Sequence, residues 1–189
     1  IYYYIMPIQT PICDFGQKAH DFKLKSTDNK IISLNDVKGE NGTLIMFICN
    51  HCPYVKAVTK DIAEDCKKLK DLGVNSVAIC ANDSENYPED SFDNMILFAK
   101  KNQFHFPYLA DETQEIAKTY DAVCTPDFFG YNKNLELQYR GRIRELKNLV
   151  PVRDGESDLL KAMKQIAEND KGPESQTPSA GCSIKWKNS

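Results

Sequence analysis

Two thiols three positions apart stand at a probable change of structure in this chain: Cys49-Asn50-His51-Cys52, followed directly by Pro53. Such a pair interconverts with a disulfide when the intervening turn brings the Cα atoms within about 7 Å, and Asn tolerates a turn of that kind. Proline is favoured at the first helical position because its missing N–H costs nothing there. Cys52 then becomes the N-cap, its sulfur facing unpaired amides and the positive end of the helix. That placement, with His51 beside it, favours thiolate over thiol. Cysteines in such settings fall from about 8.5 to roughly 3.5–7.5. The chemistry expected is nucleophilic attack by Cys52 on a disulfide or a peroxide.

The elements around the pair follow from hydrophobic pattern. Thr43 to Ile48 is a continuous apolar run, as in a strand covered on both faces. Pro53 to Leu72 has helical spacing, with Val55, Val58, Ile62, Cys66 and Leu69 on one side, and Gly73 closes it. Val74 to Cys80 reads as a second buried strand and Asn82 to Asp90 as a polar loop. Ser91 caps a helix to about Asn102. Phe106 to Ala110 is a short strand, and Thr113 caps a brief helix to Tyr120. Asp127–Tyr131 and Leu135–Arg140 form a hairpin, and Ser157 caps a last helix to about Glu168. Upstream, Asp21 to Leu34 alternates as a hairpin turning at Thr27-Asp28-Asn29-Lys30. Alternating strands and helices imply parallel pairing and an α/β sheet, which binds substrates at the carboxyl ends of its strands. Cys49 and Cys52 lie at such an end.

The division expected is a 1–15 extension, a 16–170 domain and a 171–189 tail laid over the body. In 189 residues, 41% apolar and 27% charged, a single core is sustainable. Lys plus Arg number 24 against 27 Asp plus Glu, a net −3, so no basic excess marks a nucleic-acid binder. No apolar stretch approaches the roughly 20 residues of a membrane span. The odd count of seven cysteines is no secreted disulfide framework. The start lacks a secretory signal's basic segment and cleavage site. Met6 is expected to be the natural start, and a reducing cytoplasm the setting. No phosphate loop or cofactor motif is seen.

Gly42-Thr-Leu-Ile-Met-Phe-Ile-Cys-Asn-His-Cys-Pro-Tyr-Val-Lys56 resembles the active-site segment of thioredoxin-like proteins of the redoxin branch. That branch includes thiol–disulfide oxidoreductases and the alkyl hydroperoxide reductase and thiol-specific antioxidant group. The resemblance runs from about Gly16 to the final helix. Cys124-Thr-Pro-Asp127 is its second landmark, and the closing Pro178-Ser-Ala-Gly-Cys-Ser-Ile-Lys-Trp-Lys187 resembles the tail of a bacterial peroxiredoxin-like subgroup. It implies a thioredoxin-like fold, a central mixed β-sheet flanked by helices, and a cis Pro126 facing the active cysteine. Thr125, Pro126 and Pro53 would then border the substrate. Disulfide-bearing proteins, small thiols or peroxides are the implied substrates, with a thioredoxin- or glutathione-type reductant.

Two registers fit the resemblance. Strand-to-strand alignment puts Cys52 on the nucleophile and Val55 where thioredoxins carry their second cysteine. Alternatively Cys49 is the first cysteine and Cys52 the second, but Pro53 then sits deeper in the helix at a cost of about 3 kcal/mol. Cys52 is the favoured nucleophile, with Cys49 ahead of Cys124 as resolving thiol. The peroxidase pattern Pro-x-x-x-Thr/Ser-x-x-Cys is broken, because Ile45 and Cys49 replace its Pro and Thr; low-efficiency peroxidase activity is the alternative. A zinc-binding or non-catalytic module is a further alternative, with Cys49, His51, Cys52 and Cys124 or Cys182 as ligands. Cys66 and Cys80 read as packing residues, and Cys182 as a docked tail residue before an extra redox thiol. Arg140, Arg142 and Arg144 read equally as a site for an anionic partner or as a solvated strand end, and Asp83 to Asp93 as a solvated loop.

Overall fold

An unbroken apolar run must be shielded on both sides, and the residues from Leu44 to Ile48 are fully or almost fully buried within a seven-stranded mixed sheet. The computed structural model describes residues 6–188. The reading of residues 1–5 as extraneous, and the start of the expected 1–15 extension, lie outside the described residues. The strands are β1 (Ile8–Gln9), β2 (Lys23–Ser26), β3 (Ile31–Ser33), β4 (Gly42–Phe47), β5 (Val74–Cys80) and β6 (Tyr108–Ala110). They continue as β7 (Cys124–Thr125), β8 (Asp127–Tyr131), β9 (Leu137–Tyr139), β10 (Leu146–Lys147), β11 (Val150–Pro151) and β12 (Ala180–Ser183). The helices are α1 (Leu34–Val37), α2 (Pro53–Lys56), α3 (Thr59–Lys70), α4 (Phe92–Lys101), α5 (Glu115–Thr119) and α6 (Asp158–Asn169).

The main sheet has the order β3-β2-β6-β5-β4-β8-β9. Its inner strands β4, β5 and β6 are parallel, as the alternating elements require, while β2 and β8 join antiparallel. Side chains alternate across it. Leu44, Met46 and Ile48 meet Ile62 and Leu69 of α3, Met95 of α4 and Met163 of α6. Ile45 and Phe47 meet Leu34 of α1, Ala117 of α5 and Phe129. The expected hairpin at the start is β2 with β3, and the expected hairpin near residue 130 is β8 with β9. Ser91 and Ser157 cap their helices as expected, accepting from the amides of Asn94 at 3.2 Å and Leu160 at 2.9 Å.

Three elements differ from expectation. The long helix from Pro53 to Leu72 is two: α2 ends at Lys56, Val58 leaves helical geometry at φ −122° and ψ 6°, and α3 restarts at Thr59. Three β-branched residues, Val55, Val58 and Thr59, weaken the helix there. The Thr59 hydroxyl then donates to the Lys56 carbonyl at 3.2 Å. The brief helix expected from Thr113 begins at Glu115, and its open amides at Ile116 and Ala117 donate to the Asp111 carboxylate. The tail is also a strand. β12 lies between β1 and β7 in a three-stranded antiparallel sheet of its own.

Candidate active site

The turn from β4 into α2 gathers most of the expected residues. Cys52 is the N-cap in extended conformation and Pro53 occupies the first helical turn, as the proline required. The Thr125–Pro126 bond is cis, and Thr125 faces the pair: Cys52 Sγ lies 3.3 Å from its carbonyl oxygen and Cys49 Sγ 3.4 Å from its hydroxyl. Both cysteines are buried, with Cys52 at 0% exposure.

The site's electrostatics centre on Cys52. Its pKa is held far below the ordinary thiol value, first by a hydrogen bond from the Cys182 thiol and then by one from the Cys49 thiol. Burial opposes the shift, and the backbone at Val55 and Cys182 assists it. The donors carry the opposite mark. Cys49 is pushed well up by its bond to Cys52 and by burial, and Cys182 likewise. The shifts favour the anion at Cys52 and the protonated thiol at Cys49 and Cys182. The helix dipole expected to do this work is a correction: α2 has 4 residues, too few to build an appreciable dipole.

His51 is close to Cys52 but is oriented by another group. Its Nδ1 stands 2.5 Å from Asp90 Oδ2 and its ring stacks on Tyr87, with centroids 5.9 Å apart. Asp90, foremost through this contact, raises the imidazole's pKa, and Cys52 adds to it. Asp90 also accepts from the Asn50 amide at 2.7 Å and the Asn82 side chain at 2.9 Å. The Asp83–Asp93 stretch is therefore no simple solvated loop. Asp83 and Asp90 are buried, and Asp90 pins the active-site turn. Nothing in the spacing marked it out.

Cys124 is brought to the same wall, but its thiol points at the Pro126 carbonyl, 3.6 Å away, and burial pushes its pKa up. Cys66 and Cys80 are buried in the core, each pushed up to about 12 by burial. The arginine trio is a second correction: all three are engaged in ion pairs. Arg140 is buried and forks onto Asp127 at 2.9 and 3.3 Å, Arg142 pairs with Asp158, and Arg144 with Asp61.

Cys182, expected as a docked tail residue, is docked against this wall. It stands directly opposite Thr125 in the β12–β7 ladder, and α2 packs on β12. The wall expected to border a substrate, Thr125 and Pro126, is covered by the chain's own tail. As for a metal, among the described residues the four ligands expected do not form the candidate group; Cys49, His51 and Asp90 do, within 4.8 Å of one another. Ligand atoms on tetrahedral zinc stand about 3.3 Å apart, so the 2.5 Å His51–Asp90 ion pair leaves no room for a shared ion.

The profile of the AhpC/TSA family matches residues 15–146. Peroxiredoxin Bcp of Bacillus subtilis is 20% identical over 161 residues, covering 82% of this chain and 98% of that protein. Thiol-disulfide oxidoreductase ResA of Bacillus subtilis is 28% identical over 117 residues, covering 62% of this chain and 61% of that one. An uncharacterized conserved protein from Geobacillus kaustophilus superposes with a TM-score of 0.92 at 41% identity, over 97% of both chains. The thioredoxin domain of a thiol-disulfide oxidoreductase from Bacteroides vulgatus shares the fold, with a TM-score of 0.57 at 15% identity over 71% of this chain and 89% of that one.

Proposed function

The chain belongs to the AhpC/TSA family and has its thioredoxin-like fold, and we propose that it is a thiol–disulfide oxidoreductase with Cys52 as nucleophile. The Cys52 thiolate attacks a disulfide sulfur, forms a mixed disulfide and releases one thiolate. A second thiol of the chain then displaces the other half, and an external reductant, a thioredoxin-type dithiol or two glutathione-type thiols, restores the reduced form. The observation that carries this reading is the gathering of Cys52, Cys49 and Cys182 around Thr125 and the cis Pro126, at the N-terminal turn of α2. A nucleophile of lowered pKa is present as thiolate at neutral pH, and a neighbouring thiol is ready to resolve it.

One observation favours peroxide as a second oxidant class. With Cys52 wholly buried under the tail, a two-oxygen reactant meets less obstruction than a protein disulfide. Attack on the peroxide oxygen gives a Cys52 sulfenate and an alcohol or water.

The test supplies the purified chain with a dithiol donor and either insulin or hydrogen peroxide. Donor oxidation coupled to one of them is expected, falling at least about 100-fold in Cys52→Ser. Equal rates for the two proteins would remove Cys52 from the reaction.

A further inference from the structure

A sulfur that does chemistry has to be reached, and what lies against Cys52 is another cysteine of the same chain. β12 runs antiparallel to β7 with Cys182 opposite Thr125 and Ser183 opposite Cys124. An extended peptide added to a strand edge is a common way to present a residue to a binding site. Here the added strand is internal, and the residue it presents opposite Thr125, whose carbonyl oxygen the Cys52 sulfur approaches at 3.3 Å, is a cysteine.

The tail is built to lie there. A Cβ on Gly181 would meet the Thr125 carbonyl oxygen at 2.0 Å, so the backbones approach as only glycine permits. Ser179 Oγ donates to the Pro126 carbonyl at 2.7 Å. Beyond the strand, the Lys185 amide donates to Asn82 Oδ1 and the Lys187 amide to Gln114 Oε1, each at 2.9 Å. Cys182 is thus held against the nucleophile by contacts on both sides of it in sequence.

We propose that Cys182 is the resolving thiol and that β12 stands in for the substrate strand, delivering it to oxidised Cys52; this rests on Cys52 being the nucleophile. With a peroxide, the Cys52 thiolate takes one oxygen, the alcohol or water leaves, and a proton gives the sulfenic acid. Cys182 sulfur then attacks the Cys52 sulfur, water leaves with the sulfenic oxygen and the thiol proton, and the Cys52–Cys182 disulfide forms. With a disulfide, Cys182 displaces the second substrate thiolate from the mixed disulfide, giving the same bond. An external dithiol reduces it by two electrons and returns both thiols.

Cys49 also donates to Cys52, but its turn is clamped. The next residue, Asn50, gives its amide to Asp90 and accepts from the Tyr108 hydroxyl at 2.8 Å, and the Ile48 amide donates to Ile79 at 3.0 Å. Closing Cys49 onto Cys52 would disturb those bonds, whereas Cys182 rides on a peripheral strand outside the seven-stranded sheet. Cys49 is assigned the hydrogen-bond donor's part.

The experiment oxidises the full reduced chain with one equivalent of hydrogen peroxide, traps free thiols and sulfenic acid (the latter with dimedone), and maps unreduced peptides by mass spectrometry. A Cys52–Cys182 link is expected in the unaltered protein. In Cys182→Ser, one equivalent of peroxide is still consumed, Cys52 is recovered as the dimedone adduct, and turnover with the dithiol donor falls at least about tenfold. Cys52 linked to Cys49 or Cys124, or undiminished turnover in Cys182→Ser, overturns the proposal and leaves the nucleophile standing. A Cys52 that remains a free thiol while peroxide is consumed overturns both. The map of the unaltered protein decides the matter even if the variant fails to fold.

Discussion

Removing a thiolate from water raises a cysteine's pKa unless donors replace the lost solvation, and Cys52, with 0% exposure, depends entirely on such donors. Two of them are thiols, Cys182 foremost and Cys49 after it. A hydrogen bond to a charged group is worth about 1.5–3 kcal/mol, or roughly one to two pKa units. The thiolate absorbance of the reduced protein should therefore titrate in a step below about 7.5. Cys182→Ala and Cys49→Ala should each move that step up by at least about one unit. The sign for stability follows from the same shift. The anion's contribution is full above the unfolded thiol value of about 8.5 and is lost as pH falls through the folded value. A step that stays put in both alanine variants would show that the two thiols do not hold the charge.

The turn between β4 and α2 is an element whose geometry is set from outside itself. Cys52 as N-cap could be read from Pro53, and the strand before it from its unbroken apolar run, because both are properties of neighbouring residues. Asp90 could not, since its role depends on the loop after β5 folding back to place a buried carboxylate against Asn50 and His51. The break between α2 and α3 was equally hidden, because Val55 and Val58 fit the apolar stripe of one helix as well as two. Cys182 was legible as a docked tail residue, but not its approach to Cys52. It is 130 positions from Cys52, and its contact exists only because Gly181 lets the tail lie flat on Thr125. Asp90→Asn tests the turn. The carboxylate raises the His51 pKa, so the pair's stabilisation is full below the free value of about 6.5 and is lost as pH rises through the folded value. In the variant the His51 ring signals should titrate closer to 6.5 in an NMR pH series, with stability at acidic pH lower by about 1–3 kcal/mol. An unchanged His51 titration would detach Asp90 from the site.

At the scale of the whole chain, residues near both ends meet over the candidate site. β1 pairs with β12 at Ile8–Gly181 and Gln9–Ala180, and the Thr10 amide donates to Ser179 at 2.9 Å. This small sheet adds little to the main core, which the seven strands and the helices on their two faces already close. Its contribution is local: it removes water from Cys52 and supplies a thiol to it. Disturbing the tail should therefore separate site accessibility from global stability. Gly181→Ala is the sharpest such change, because the new methyl would meet main-chain oxygen at 2.0 Å and neither strand can yield without parting. The reduced variant should be alkylated by iodoacetamide at Cys52 at least about tenfold faster than the unaltered chain, since the reagent needs the open state. Its thermal unfolding should keep a single cooperative transition, because the main sheet is untouched. Equal alkylation rates at Cys52 would mean that the tail does not govern entry, and that another opening of the fold admits the reactant.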